Sequence, residues 1–304
     1  MRVAGAISLA RGSLLRERLR SDLRRFEAFL RALVRNRLAF VGLVIVLSFL
    51  AFALLAPLAV GPYPTTFDKD NPLLAPSNRH PLGTDKQGFD ILVILVYGSQ
   101  VSLLVGFTSA AVAMLLGTAV GLAGGYYGHQ VDQILARATD FFLVIPWLPF
   151  VIVLSVILGP SLPTTIIAIA VVSWPTTARI VRSQVLSLRE RLFVERARAV
   201  GAGDGHILWK HVLPNVLPLI FAQAVLTIST AIFTEAFLSF FGLGPVGSIS
   251  WGTMIEDSWI SLALLRGMWW YFGPPGLSIT LVVLGFSLLS YGLEEVLNPR
   301  LKKR

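Results

Sequence analysis

The sequence predicts an all-α integral membrane protein with six transmembrane helices and both termini in the cytoplasm. Of its 304 residues, 55% are hydrophobic and 14% are charged, whereas a soluble domain carries about 25% charged residues. The mean hydropathy is +0.72, and the apolar residues are gathered in long uninterrupted segments. A bilayer accounts for so much apolar surface better than a soluble core does.

Six apolar segments are long enough to cross a bilayer as helices. They cover residues 39–60, 98–123, 138–158, 163–181, 216–238 and 276–293. Gly117 and Gly121 in the second span form a small-xxx-small pair, which lets two helices approach closely. Pro146 and Pro149 in the third span predict a kink, which neighbouring helices tolerate.

The distribution of basic residues predicts the orientation of the spans. Cytoplasmic loops are enriched in Lys and Arg, and the chain has 26 of these residues. With both termini inside, only four of them lie in outward segments: Lys69, Arg79, Lys86 and Arg266. The segments 61–97 and 239–274 are therefore predicted to be external loops.

The same pattern divides the chain into four regions. They are a basic cytoplasmic segment (1–37), the first span with its external loop (38–97), a five-helix domain (98–295) and a basic cytoplasmic tail (296–304). The Arg-rich first region is compatible with an amphipathic helix on the anionic inner leaflet and with a partly ordered tail.

Several kinds of site are excluded by composition or spacing. The chain has no cysteine, which excludes disulfides and thiolate metal sites. His206 and His211, five residues apart, are expected on different helix faces, so no metal site is predicted. None of the five lysines follows a glycine, so there is no Walker A loop for ATP. The basic residues cluster around the spans, which disfavours nucleic-acid binding.

The polar segment 182–215 between the fourth and fifth spans has a distinctive pattern. Apolar residues at helical spacing alternate with charged ones as far as Ala199, and three glycines follow at 201, 203 and 205. A second short helix is expected from Ile207 to Val212, and Pro214 either stops it or opens the fifth span.

The spacing of Glu195, Ala197, Gly201, Leu213 and Pro214 resembles the EAA loop of permease subunits of binding-protein-dependent ABC importers. That motif reads E-A-A, three residues, G, nine residues, I-x-L-P. Arg196 replaces the second residue of the motif, an Ala, and His211 stands where Ile is usual. The dipeptide-permease branch often has His at the latter position. The resemblance assigns ATPase coupling to Glu195, Ala197, Arg198, Gly201, Asp204, His211, Leu213 and Pro214, and residues 182–215 are called the EAA loop below.

Segments of the predicted external loops resemble the same branch, among them residues 80–85, 235–244 and 250–252. This resemblance places six candidate residues on the external side of the membrane, where the binding protein docks: His80, Gly83, Asp85, Asp90, Glu235 and Trp251. For Glu235, a structural role bonded to the outer loop is favoured over substrate contact. For Trp251, Trp259, Trp269 and Trp270, an interfacial belt is favoured over contact with the binding protein.

The resemblance implies the type I ABC importer permease fold, with residues 98–295 as its permease domain. It implies one half of a pore, completed by a second permease in a heterodimer in the bacterial inner membrane. ATP and Mg²⁺ are expected on separate ATPase subunits, an external protein delivers the substrate, and this chain holds no cofactor or metal. Di- and oligopeptides are the expected substrates; nickel, glutathione-like peptides and oligosaccharides are alternatives within the branch.

Two other functional classes fit the sequence less well. An ion-driven secondary transporter is expected to show inverted repeats and charges at the membrane midplane, and neither is evident. A membrane enzyme is expected to show a nucleophile with its base or a metal cluster, and the sequence suggests neither.

Overall fold

The computed structural model describes residues 27, 28, 31–62 and 72–297. Its regular structure in these ranges is helical, with one isolated β-bridge between Thr84 and Asp90. The predicted basic segment at the N-terminus and the basic tail lie largely outside the described residues.

Eleven α-helices are labelled in chain order. They are α1 (Arg37–Leu54), α2 (Ala56–Val60), α3 (Ile91–Tyr127), α4 (His129–Val144), α5 (Trp147–Leu158), α6 (Leu162–Arg189), α7 (Leu192–Ala199), α8 (Asp204–Ile207), α9 (Leu213–Phe240), α10 (Trp251–Ile260) and α11 (Trp269–Leu297). A π-helical turn, Leu208–Val212, joins α8 to α9. Five helices of the described chain are long and apolar enough to span a bilayer: α1, α3, α6, the continuous α8–α9 unit and α11.

The predicted third span is two helices rather than one kinked helix. The axes of α4 and α5 differ by 92° across a break of two residues. Ile145 is extended, with φ −72° and ψ 127°, because the ring of the following proline disfavours the helical conformation there. Pro146 also lacks an N–H group to continue the helix. The described chain has a sixth candidate crossing if this bent pair is one span, and the break is sharper than a kink within a continuous helix.

Two further boundaries differ from the expectation. Helix α3 extends over 37 residues, about 55 Å at 1.5 Å per residue, and exceeds the thickness of a hydrocarbon core. The segment 239–274, expected as a loop, contains α10 and the first turns of α11. Ser250 and Thr253 form a capping box that starts α10.

The most extensive helix contact of the described bundle joins α3 to α6 at a row of glycines. A Cβ atom added at Gly117 lies 2.6 Å from the Cβ of Thr177, and one at Gly121 lies 2.7 Å from the carbonyl oxygen of Ala178. Gly125 extends the row, with 2.8 Å to the Cβ of Val185. The predicted small-residue pair is confirmed, and it is one helical turn longer than expected.

The first and last spans form a second close pair. A Cβ atom at Gly42 lies 2.5 Å from the carbonyl oxygen of Gly285, and one at Gly292 lies 2.4 Å from the Cβ of Ala39. Asn36 caps α1 and donates from Nδ2 to the Oε2 of Glu295 at 2.7 Å. These contacts place α1 against α11 along the side of the bundle.

Replacing Gly121 by alanine is expected to destabilise the bundle by about 1–3 kcal/mol, because the added methyl group overpacks a contact between two backbones. Gly276→Ala in α11 is the matched control, since nothing lies within 4 Å of its Cβ position. Thermal unfolding of the detergent-solubilised protein measures the difference. Equal melting temperatures for the two variants contradict the assignment of Gly121 to a closed interface.

Candidate functional site

The EAA loop begins inside α6 and ends inside α9. Its residues up to Arg189 continue α6, a break at Glu190 and Arg191 follows, and α7 then runs to Ala199. Gly201 has φ +85°, where a side chain costs roughly 1–2 kcal/mol. The predicted bend is therefore at Gly201, and Asp204 begins the next helix.

The underside of this loop is packed against the spans. Val194 and Ala197 in α7 are buried, as are Ile207 in α8 and Val212 in the π-helical turn. They form one apolar cluster with Val181, Val185 and Leu188 of α6 and Val216 of α9. Because both ends of the loop and its underside are anchored, the loop is held as part of the bundle.

The outer face of the loop combines apolar side chains with an acidic one. Leu192, Val200 and Trp209 are 68%, 85% and 72% exposed, although they belong to the polar segment between two spans. Glu195, which lies in α7 with Leu192, is exposed and forms no ion pair within the described residues. Arg191, four residues before Glu195, and Arg198, three residues after it, do not pair with it.

Tyr126, at the end of α3, joins three parts of the loop. Its hydroxyl group donates to the Oδ1 of Asp204 at 2.7 Å, and the guanidinium carbon of Arg198 lies 5.5 Å from the centre of its ring. The Nη1 of Arg189 donates to the backbone oxygen of Tyr126 at 3.2 Å. We call Tyr126, Arg189, Arg198 and Asp204 the Tyr126 joint.

The π-helical turn brings two histidines together. The rings of His206 and His211 have centroids 5.7 Å apart, so the expectation of different faces was wrong. A π-helical turn bonds residue i to residue i+5, which aligns side chains that an α-helix separates. The described residues still contain no group of three metal-binding side chains.

Pro214 lies in the first turn of α9, so it opens the fifth span.

At the opposite end of α3, residues 72–90 and 241–268 form a structure that we call the cap. Gly83 has φ +73°, and a Cβ there lies 2.4 Å from the carbonyl oxygen of Leu74. The Nδ1 of His80 is 3.0 Å from the Oδ2 of Asp90, whose Oδ1 accepts from the backbone N–H of Leu92 at 2.8 Å. These residues fold the chain onto the first turn of α3.

Asp85 is buried at the centre of the cap. Its Oδ1 accepts hydrogen bonds from the backbone N–H groups of Gln87, at 2.9 Å, and Phe89, at 2.8 Å. Burial is the main cause that raises the pKa of this carboxyl group to about 6, and the nearby carboxylate of Asp257 acts in the same direction. The neighbouring Lys86 forms an ion pair with Asp257, which ties residues 72–90 to α10.

Glu235 and Trp251 lie in one buried cluster between α9, α3 and α10. The fully buried Glu235 accepts from the hydroxyl groups of Ser102, at 3.1 Å, and Ser239, at 2.8 Å. The hydroxyl oxygen of Ser102 accepts from the backbone N–H of Trp251 at 3.2 Å. The expected link from Glu235 to the outer segment is thus made through Ser102.

Trp251 is 1% exposed and donates from Nε1 to the carbonyl oxygen of Leu95 at 3.0 Å. A belt position was therefore the wrong expectation for this tryptophan, whereas Trp259 and Trp269 remain exposed.

A cavity of about 540 Å³ lies between the α4–α5 break, α6 and α9. Its polar lining consists of Ser173, Thr176, Gln223, Thr227, Thr230 and Thr234. Among the described residues that line it, none is ionisable. The candidate residues thus form two separate groups, one at each end of α3, with an uncharged cavity between them.

Comparison with known proteins identifies the family. Residues 113–303 match the family described as "binding-protein-dependent transport system inner membrane component". The chain belongs to this family. Residues 25–76 match the N-terminal transmembrane domain of oligopeptide transport permease C. The predicted helical permease fold is confirmed, and the chain is a multi-pass membrane protein.

Individual relatives cover most of the chain. A dipeptide transport system permease protein of Alkalihalophilus pseudofirmus is 42% identical over 91% of this chain and 90% of its own length. An oligopeptide transport system permease protein of Bacillus subtilis is 39% identical over 88% of this chain and 87% of its own length. A structure of the MetNI methionine ABC transporter matches with a TM-score of 0.46 and 22% identity, over 63% of this chain and 97% of that one.

Sequence reasoning missed the cavity of this permease. Gln223, Thr227, Thr230 and Thr234 recur at steps of four, three and four residues, which is one face of a helix. This polar stripe within an apolar span was the available signal. The Tyr126 joint had no comparable signal, because its members are 63 and 78 residues apart in the chain.

The pH dependence of cap stability is expected to follow Asp85. Its pKa is about 6 in the folded protein and about 3.9 when unfolded. The folded state thus binds the proton more tightly, so the free energy of unfolding falls as the pH rises from about 4 to 6. Asp85→Asn is expected to flatten this part of the profile, since the amide oxygen still accepts both hydrogen bonds. Proteolysis of the cap at pH 5 and pH 7 measures it, and an unchanged profile in the variant contradicts this role.

Proposed function

We propose that this chain is one permease subunit of an ABC importer for di- and oligopeptides in the bacterial inner membrane, with both termini in the cytoplasm. The identities of 42% and 39% to dipeptide and oligopeptide permease proteins support the peptide substrate. A second, different permease completes the pore, and an external binding protein delivers the peptide to the cap. ATP and Mg²⁺ bind to separate ATPase subunits, and this chain has no catalytic role of its own.

The observation that carries this proposal is the construction of the EAA loop. Its outer face presents Leu192, Val200 and Trp209 to a partner together with the unpaired Glu195. Its underside is buried against α6 and α9. An exposed apolar surface that is packed firmly against the spans is suited to transmit a conformational change from a separate ATPase subunit to them.

The Tyr126 joint extends this path to the second span. Asp204 and Arg198 of the loop contact Tyr126, and Tyr126 is the penultimate residue of α3. Because α3 reaches the cap at its other end, a displacement of the loop acts on the whole length of the bundle. In this proposal ATP-driven closure moves the loop, and α3 and α6 carry the movement toward the cap.

Purification of the tagged chain in mild detergent is the first test. A second permease and ATPase subunits are expected to copurify with it, because the exposed apolar face of the loop is a docking surface. A chain that elutes alone from membranes in which its gene neighbours are expressed overturns the importer assignment.

Gly201→Val is expected to abolish most peptide uptake while membrane insertion stays normal. The substitution puts a β-branched residue at φ +85° and so distorts the bend between α7 and α8. Gly203→Val is the matched control, because Gly203 has φ −69° and also has open space at its Cβ position. Uptake in proteoliposomes separates them, and equal uptake by both variants is evidence against a coupling role for the bend.

Tyr126→Phe is expected to lower the number of peptides transported per ATP hydrolysed by about two- to tenfold, the value of one hydrogen bond worth about 0.5–1.5 kcal/mol. The ring that lies under Arg198 is kept, and only the hydrogen bond to Asp204 is lost. The control is Tyr127→Phe on the exposed neighbouring residue. Asp204→Asn is expected to retain coupling, because its amide oxygen still accepts. A loss of complex assembly instead of coupling contradicts this assignment.

A further inference from the structure

The cavity between the α4–α5 break, α6 and α9 is lined by residues of several spans. Its volume of about 540 Å³ is within the range of small-molecule pockets, about 300–1,000 Å³. Thr176 lies at the middle of α6 and Thr227 at the middle of α9. The cavity is therefore about equally far from the EAA loop and the cap.

The hydroxyl groups of three α9 threonines in the lining donate their hydrogen atoms to backbone carbonyl groups of the same helix. Thr227 donates to the carbonyl oxygen of Gln223 at 2.8 Å, Thr230 to that of Thr227 at 3.0 Å, and Thr234 to that of Thr230 at 2.7 Å. A hydroxyl group has one hydrogen and two lone pairs. Each of these side chains therefore offers only an acceptor to anything in the cavity.

The opposite wall is also rich in acceptors. A helix leaves its last four carbonyl groups without partners inside the helix, and Phe142, Leu143 and Val144 at the end of α4 line the cavity. Pro146 in the same lining has no N–H group, and the side chains of Trp147 and Gln223 are the indole and amide donors of the lining. Broken helices occur at membrane depth where their backbone lines a cavity.

We infer that this cavity binds the main chain of a peptide during passage, by accepting hydrogen bonds from its amide N–H groups. The amide N–H groups of a peptide main chain complement these acceptors, and without ionisable groups among the described lining residues no ion pair fixes one particular side chain. This explains how one path passes peptides of different sequence. The inference rests on the proposed peptide importer function and adds to it the residues that the substrate touches.

The test compares a peptide with the same peptide N-methylated at its amide nitrogen. Both are presented on saturated binding protein to proteoliposomes that contain the whole transporter. Thr230→Val removes one exposed acceptor, and uptake of the unmodified peptide is expected to fall by about two- to tenfold. Uptake of the methylated peptide is expected to fall much less, because its donor is already missing.

Thr280→Val in α11 is the matched control. Thr280 is exposed, and its hydroxyl group donates to the carbonyl oxygen of Gly276 at 2.8 Å, so it has the same local bond outside the cavity. It is expected to leave the uptake of both peptides unchanged. Equal losses of both peptides in Thr230→Val, or no loss of either, overturn the inference.

A second variant separates the peptide from another occupant. Thr230→Trp is expected to fill the cavity and stop uptake while the second permease still copurifies. Failure of this variant to associate with the second permease overturns the inference in favour of a cavity filled by the partner chain. If the unaltered transporter takes up neither peptide, the proposed function itself fails, which is distinct from every outcome seen only in the variants.

Discussion

The close approach of α3 to α6 at Gly117, Gly121 and Gly125 is the contact on which the rest of the structure depends. Without a hydrophobic driving force between helices in lipid, such contacts rely on close van der Waals packing, which small residues permit. A Cβ atom at any of the three positions lies less than 3.0 Å from an atom of α6. This packing brings the end of α6 beside the end of α3, so that Arg189 reaches the backbone oxygen of Tyr126. The position of the EAA loop follows from it.

Helix α3 connects the two groups of candidate residues. Its first turn is capped by Asp90, and its Ser102 bonds to Glu235 below the cap. Its other end is held by Asp204 and Arg198. A continuous helix transmits displacement along its axis far better than a broken one, and the break in this chain is instead placed in α4–α5, beside the cavity. The rigid connection is therefore made by α3, whereas the exposed backbone that lines the cavity belongs to the α4–α5 pair.

The sequence was sufficient for the features that depend on local pattern. Apolar runs located the spans, Gly117 and Gly121 located the tight interface, and Gly201 located the bend. The 92° break was underestimated because proline within a span is compatible with a mild kink as well as with a full break, and packing decides between them. The π-helical turn that pairs His206 with His211 and the contact between Tyr126 and Asp204 arise from tertiary packing. Of the missed features, the polar stripe of α9 had a local signal.

The central claim is that the EAA loop and α3 move as one body. The chain has no cysteine, so spin labels at Val200→Cys in the loop and Leu115→Cys in α3, both on exposed residues, report one intramolecular distance. Pulsed electron paramagnetic resonance on the transport-active complex measures it without nucleotide and with ATP trapped. The account predicts the same distance in both states. A shift that approaches one helical turn, about 5.4 Å, would show that the loop moves independently of α3 and would contradict it.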